Sequence, residues 1–264
     1  IAEGTTEMLF AADIGNSCID IGLFDEAGNL KMKSKISSVG SRTVDEYTVV
    51  ISGLLAANGF LPDAITDGIV SSVVPGLTAV IKSAVKKLSD ISFVEVGPGT
   101  KNGLKIRIDV QTQLGADIVA NAVAATSEYR TPVIIIDVGT VTTITAVDAD
   151  GVLEGVIISP GLKVSLDAMA DAASGLNDVS LLKPKRFIGK NTAESVCSGV
   201  MYGHVFMIEG FVSEIRRMQG YANARAVMTG GLAETVRPLC TSRIDYDPDL
   251  VLKGLFLIHR KNQK

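Results

Sequence analysis

A chain of 264 residues, 47% of them hydrophobic, can bury one large core or two of ordinary size, and no uninterrupted apolar run in it approaches the ~20 residues of a membrane-spanning helix. Its formal charge is −4 with Lys and Arg scattered, which excludes the basic footprint of a nucleic-acid binder and points to small metabolites as partners. Three cysteines, Cys18, Cys197 and Cys240, have no paired metal-ligand spacing; they argue against a disulfide framework and fit a reducing cytoplasm.

The opening "IAEGTTE" (1–7) has neither a basic head nor an apolar stretch, so it is not read as a signal peptide, and Met8 is the expected native start. From there, 8–14 and "CIDIGLF" (18–24) predict two strands around the turn Gly15-Asn16-Ser17, and "DEAG" (25–28) turns into a third. Val44, Tyr47, Val50, Ile51, Leu54 and Leu55 have helical spacing over 43–59, with Thr43 and Glu46 as a capping box and Gly59 as the stop. A strand over 64–75 ending at Pro75, a helix over 76–88 and a strand over 92–99 follow, an α/β alternation with a partly parallel sheet. A helix is expected over 114–129. The pattern then restarts, with strands at 133–137, 142–148 and 152–159 and a helix opened by Pro160-Gly161. A long helix around 192–218, a strand over 225–231 and a helix over about 248–260 complete the chain, with the domain boundary near 125, giving domains 8–125 and 126–264.

The two halves share a motif. "LFAADIGNSCIDIGLF" (9–24) and "VIIIDVGTVTTITAVD" (133–148) each join a buried strand, an aspartate, a glycine turn with amide or hydroxyl residues, and a second buried strand. An aspartate at such a strand end and the exposed N–H groups of the turn project together, which suits Mg²⁺ plus phosphate. Asp13 and Asp137 supply the carboxylates, glycine lets the backbone approach a phosphate oxygen, and Asn16, Ser17 and Thr140 add donors. The fingerprints GxxxxGK[ST] and GxGxxG are absent, so a nucleotide site here is of another type. Asp117 falls in the first turn of the 114–129 helix, where the helix dipole stabilises a carboxylate that could accept the proton of an attacking hydroxyl.

The paired turns, with the Gly230-Gly231 turn of "VMTGGLA" (227–233), resemble the phosphate and adenosine motifs of the acetate and sugar kinase, heat-shock chaperone and actin superfamily. Within it the chain is similar to one family over nearly its whole length, the type III pantothenate kinases. The matching stretches include "DIGNS", "IVSSVVP", "VGPGTKNGL", "GAD", "DVGTVTT", "SPGLKVSLDA", "KPKRFIGKNTAESVCSG" and "DPDLVLKGL". The resemblance implies an α/β fold of two ribonuclease-H-like domains with an ATP cleft between them, and the phosphorylation of pantothenate, the first step of coenzyme A synthesis. It implies that Asp13, Gly15, Asn16 and Ser17 cradle the ATP phosphates, with Asp13 also meeting Mg²⁺. Thr140 would touch ATP, Gly230 and Gly231 would lie near adenosine, and Asp137 would help hold a monovalent cation, K⁺ or NH₄⁺. Asp117 would be the general base, and Gly115, Ala116, Ile118 and Thr192 would line the pantothenate pocket. A cytoplasmic homodimer, with the acceptor pocket near the subunit interface, is also implied.

The chain departs from the family pattern on one wall. An arginine usually follows GAD, and here Ile118 does; Ile108, Val110-Gln111 and Gln113 replace the usual aromatic, Asn-Pro and acid, and Val156 replaces a glycine. An isoleucine makes no charged hydrogen bond to a carboxylate, and Lys101, Lys105 and Arg107 are the nearby cations in sequence. Two further readings therefore stand beside the first. One is an ATP-binding paralogue with an accessory role, like the relatives called Bvg accessory factors, and the other is a kinase for another small hydroxylated acceptor. His204 and His259 are expected as helix-face residues, Cys18 and Cys197 as buried fillers, Met201 and Met207 as helix-packing residues, and "KPKR" (183–186) as a solvated loop.

Overall fold

The structure, a computed structural model, describes residues 7–173 and 179–263. Residues 174–178, in the stretch "SGLNDVS" (174–180), lie outside the described residues. Chain contacts divide the molecule into two compact units. The first takes the residues up to 104, with 110–124 and 250 onward, and the second takes 105–109 and 125–249.

The first unit is built on strands β1 (Met8–Ile14), β2 (Cys18–Asp25), β3 (Leu30–Ser37), β4 (Ile65–Ser72) and β5 (Phe93–Glu95), in the order β3-β2-β1-β4-β5. β1, β2 and β3 form an antiparallel meander, while β4 runs parallel to β1 and β5 parallel to β4. The sequence explains the placing. β1 is apolar on both faces, as a central strand covered on both sides must be, whereas edge strand β3 alternates and shows water Lys31, Lys33 and Lys35, charges that protect an open edge.

Helix α1 (Val44–Ala57) starts where the capping box places it. The Glu46 N–H donates to Thr43 Oγ1 at 3.3 Å and the Thr43 N–H donates to Glu46 Oε2 at 2.7 Å. Tyr47, Ile51 and Leu55 of α1 are buried against the sheet, each burial favouring the fold by roughly 1.5–3 kcal/mol. Pro75 does not end a strand: β4 stops at Ser72, whose Oγ accepts the Val74 N–H at 3.0 Å, and Pro75 is the first residue of helix α2 (Pro75–Lys86). A proline lacks only an N–H that the first helical turn leaves unused.

The second unit repeats this plan. β7 (Val133–Val138), β8 (Val141–Val147), β9 (Val152–Pro160), β10 (Arg225–Thr229) and β11 (Asp245–Tyr246) stand in the order β11-β10-β7-β8-β9, with the short β6 (Lys105–Ile106) added parallel to β9. The meander is again antiparallel, and β10 and β11 are again parallel. Both units thus carry the strand order of a duplicated ribonuclease-H-like α/β fold. Helices α4 (Leu162–Ala172), α5 (Thr192–Arg217) and α6 (Ala233–Val236) complete the unit. α5 has the length and composition of a membrane-crossing helix, with a mean hydropathy of 1.2, but half of that window is buried in the core of the unit, as a core helix requires.

Helix α3 (Ala116–Glu128) spans the division between the units, which falls after Ala124. The second domain expected over 126–264 differs from the compact unit at its end, because helix α7 (Leu250–Asn262) belongs with the first. Phe256 stacks on Phe24 of β2 with ring centroids 5.2 Å apart. His259, expected on a helix face, is buried at 3% exposure, with Nε2 2.7 Å from Asp67 Oδ2 of β4.

Candidate active site

In the first unit Asp13 lies near the end of β1, in parallel register with Ser71 of β4. The fully buried Ser71 hydroxyl donates to Asp13 Oδ1, fixing the orientation of the carboxylate. Ser71 lies in the quoted run "IVSSVVP", yet nothing local marks it as a partner of Asp13, because the pairing spans a crossover. The turn that follows is braced from within. The Gly15 N–H donates to the Cys18 carbonyl at 3.0 Å, Ser38 Oγ donates to the Gly15 carbonyl at 2.6 Å, and the Ser38 N–H donates to the Ser17 carbonyl at 3.0 Å. Asn16 and Ser17 stand exposed at its tip.

The second group of first-unit residues opens α3. The Gly115 carbonyl accepts the Val119 N–H at 3.1 Å, so the helix begins beside Gly115 and Asp117 sits in its first turn. A Cβ on Gly115 would collide with Asp117 Oδ1, so glycine is needed for the carboxylate to fold back over the helix start. Asp117 Oδ1 is buried and accepts no hydrogen bond from the described residues. Burial pushes the Asp117 carboxyl above its ordinary range, against the smaller opposing pull of the Ile118 and Asp117 backbone N–H groups. Ala116 is half-buried beside it. Ile118 is only 7% exposed, a packing residue of the first turn. Of the other wall residues, Ile108 is half-buried, while Val110, Gln111 and Gln113 are exposed.

In the second unit three glycine turns meet at the end of β7. Asp137 is in register with Thr229 of β10. Gly230, with φ of +96°, lies so close that a Cβ there would strike Asp137 Oδ1 and come within 2.6 Å of the Val138 nitrogen. The Leu232 N–H donates to the Val138 carbonyl at 3.0 Å, tying the Gly230-Gly231 turn to β7. On the other side, the Gly161 N–H donates to the Thr140 carbonyl at 3.2 Å, and a Cβ on Gly161 would collide with the Gly139 and Thr140 carbonyls. Thr140 itself is exposed at the tip of this turn. Gly161 was legible only as a helix opener; its clamp on the Thr140 turn depends on a contact across the sheet.

Thr192 is the exposed first residue of α5, whose N-cap is Asn191: Asn191 Oδ1 accepts the Glu194 N–H at 2.8 Å, which leaves the Thr192 side chain out of the cap. Gly189 packs against this first turn, since a Cβ there would lie 2.6 Å from Ser195 Cα. Of the loop "KPKR", Pro184 is buried and Arg186 lies 3.7 Å from Glu194. Arg107 pairs with Glu154, Nη1 to Oε1 at 2.5 Å, so its charge is already engaged.

The structure therefore places Asp13, Gly15, Asn16 and Ser17 on one turn and Gly115, Ala116, Asp117 and Ile118 on one helix start in the first unit. It places Asp137, Thr140, Gly230 and Gly231 at one strand end in the second, with Thr192 at the head of α5. Carboxylates beside glycine turns and a buried carboxylate with one oxygen lacking a hydrogen bond are groups that phosphoryl transfer to a hydroxyl can use. No group of three or more His, Cys, Asp or Glu side chains is gathered among the described residues. That donor set suits a Mg²⁺ that keeps its waters and takes phosphate oxygens.

Comparison with known proteins gives the same direction. The sequence model of the family described as type III pantothenate kinase matches residues 9–214. A protein of Geobacter sp. (strain M21) named type III pantothenate kinase is 37% identical over 256 residues, covering 97% of this chain and 100% of its own length. Among solved structures, a conserved Campylobacter jejuni protein assigned to the Baf family of transcriptional activators superposes with a TM-score of 0.60 at 19% identity, over 96% of this chain and 98% of that one. The activator of the 2-hydroxyisocaproyl-CoA dehydratase from Clostridium difficile, with bound ADPNP, gives 0.58 at 14% identity, over 97% and 98%. At these identities the two structures speak for the fold alone.

Proposed function

The chain belongs to the type III pantothenate kinase family, and from that premise we propose how its residues divide the transfer of the γ-phosphoryl group of ATP to the primary hydroxyl of pantothenate. The reaction yields ADP and 4′-phosphopantothenate, the first step of coenzyme A synthesis. The observation that carries the assignment is Asp117 Oδ1, a buried carboxylate oxygen without a hydrogen bond, held over a helix start by Gly115. It accepts the hydroxyl proton as the oxygen attacks phosphorus, and its raised basicity suits that task. Gly115 and Ala116 shape the acceptor side, Ile118 gives it an apolar backing, and Thr192 offers a hydroxyl to pantothenate.

Asp13, oriented by Ser71, would hold the hydrated divalent cation, and the exposed Asn16 and Ser17 would donate to phosphate oxygens on a turn that Gly15 lets approach closely. When bound, the divalent cation neutralises charge on the transferring phosphates. Thr140 adds a hydroxyl donor, Gly230 and Gly231 let the backbone approach adenosine, and Asp137, an oxygen donor at the junction of the glycine turns, holds K⁺ or NH₄⁺. The accessory-protein reading is not favoured, since relatives named type III pantothenate kinase cover 97% of the chain at up to 37% identity, whereas the Baf-family structure, at 19%, speaks for the fold alone.

The enzyme works in the cytoplasm as a homodimer. The support is the exposed face of α5: a Cβ on Gly199, Gly203 or Gly210 would meet nothing within 4 Å among the described residues, so no packing among them calls for glycine there. Each costs the helix roughly 1 kcal/mol relative to alanine. Beside them Phe187 and Phe206 are 57% and 53% exposed, and Phe187 stands edge-on to Tyr202 at 4.9 Å. Close approach of a second copy of the helix explains both features. Light scattering on the eluted protein is expected to give the mass of two chains, and Phe206→Asp to give one; a monomeric parent protein would remove the dimer.

The function is tested with purified protein, Mg·ATP, pantothenate and saturating K⁺ or NH₄⁺, following ADP release and identifying 4′-phosphopantothenate by mass. Turnover is expected, and it is expected to fall sharply when Na⁺ replaces K⁺. ATP binding without turnover of pantothenate would overturn the assignment in favour of another acceptor.

A further inference from the structure

Two rows of apolar side chains meet between α5 and β8. On α5 the buried row is Val196, Val200, His204, Ile208 and Val212, spaced four residues apart; on β8 the row facing the same core is Thr142, Ile144 and Ala146. Each row has one polar member, and the two are in contact: Thr142 Oγ1 lies 2.9 Å from His204 Nε2. Thr142 is fully buried and His204 is 6% exposed. Burial also lowers the basicity of the His204 ring, so this is a bond between a neutral imidazole and a hydroxyl.

A buried polar pair is a poor way to stabilise such an interface. Replacing both members by apolar groups of similar shape is generally neutral or stabilising, whereas removing one orphans the other. Geometry gives the pair another use. Thr142 lies two residues beyond Thr140, at the root of the second phosphate turn, and Gly161 clamps that turn from the side of α4. His204 borders a cavity of about 270 Å³ lined by Pro160, Ser165, Met169, Gly203 and Met207, so packing alone does not hold its ring on every side. The hydrogen bond to Thr142 does.

We propose that His204 is a positioning residue for nucleotide binding, which holds the root of the Thr140 turn to α5 through Thr142. The inference rests on the kinase reading of the Thr140 turn and adds a residue that the sequence motifs pass over. α5 carries Thr192 at its head, so the same helix bears an acceptor contact at one point and anchors the ATP turn at another.

The test compares Thr142→Val, His204→Leu and the double variant with the parent, by melting temperature, by the KM for ATP and for pantothenate, and by calorimetric ATP affinity. Each single variant is expected to melt below the parent and the double variant at or above it. The folded double variant is expected to bind ATP about 3- to 10-fold more weakly, the worth of one hydrogen bond, with the KM for pantothenate unchanged. A stable double variant with parental ATP affinity would overturn the proposal and leave the pair as core packing. Because ATP affinity is read directly, a parent that binds ATP without phosphorylating pantothenate would overturn the kinase reading while still deciding the role of His204.

Discussion

Asp117→Asn is expected to lower kcat by about 100- to 10,000-fold, the usual worth of a positioned general base, while ATP affinity stays near that of the parent. The asparagine is isosteric but cannot take the proton of the attacking hydroxyl. Stability is expected to move the other way. The folded carboxyl is pushed above its ordinary range by burial, so ionising it opposes folding: stability is greatest while it is protonated, and part is lost as pH rises from the unfolded value of 3.8 through the raised folded one. At neutral pH the parent bears that loss and the asparagine variant does not, so the variant should melt higher while being nearly inactive. The same shift predicts that the acid limb of kcat/KM for pantothenate lies above the ordinary aspartate range and is governed by one protonation. A lower melting temperature together with near-parental kcat would refute the assignment of Asp117.

Gly230→Ala should be the most damaging small substitution in the second unit. With φ of +96° the residue lies in a region that costs an alanine roughly 1–3 kcal/mol. The new Cβ would stand 2.6 Å from the Val138 nitrogen and 2.7 Å from its carbonyl carbon, backbone atoms that move only with β7. Overpacking of this kind adds roughly 1–3 kcal/mol, so a total of about 2–5 kcal/mol is expected in urea unfolding. The displaced atoms include the Asp137 carboxylate, so any folded variant should also bind ATP more weakly and respond less to K⁺. Stability within ~0.5 kcal/mol of the parent would show that the turn relaxes freely and does not hold Asp137, since substitutions that break no special feature fall in that range.

Local signals made much of this molecule legible. The Thr43–Glu46 box, the glycine after α1, and the two strand-Asp-turn-strand motifs each act over a few residues, and the structure shows helix and strands where they point. The misplaced features were those in which one local sign has two meanings. Proline at 75 ends a strand as plausibly as it opens a helix, and Ser72 capping the Val74 N–H decides it. His259 has the look of a helix-face residue until β4 brings Asp67 against it.

By itself, then, the sequence determined the duplicated α/β plan, the aspartate turns and the Asp117 helix start, because periodicity, capping and glycine turns are written within a few consecutive residues. Tertiary structure alone decided that Ser71 orients Asp13, that Gly161 and Gly230 clamp the second turn, that His204 meets Thr142, and that the last helix packs with the first unit. Each of these joins residues between 21 and more than 200 positions apart, and side-chain chemistry at one site carries no record of which distant backbone the fold will set beside it.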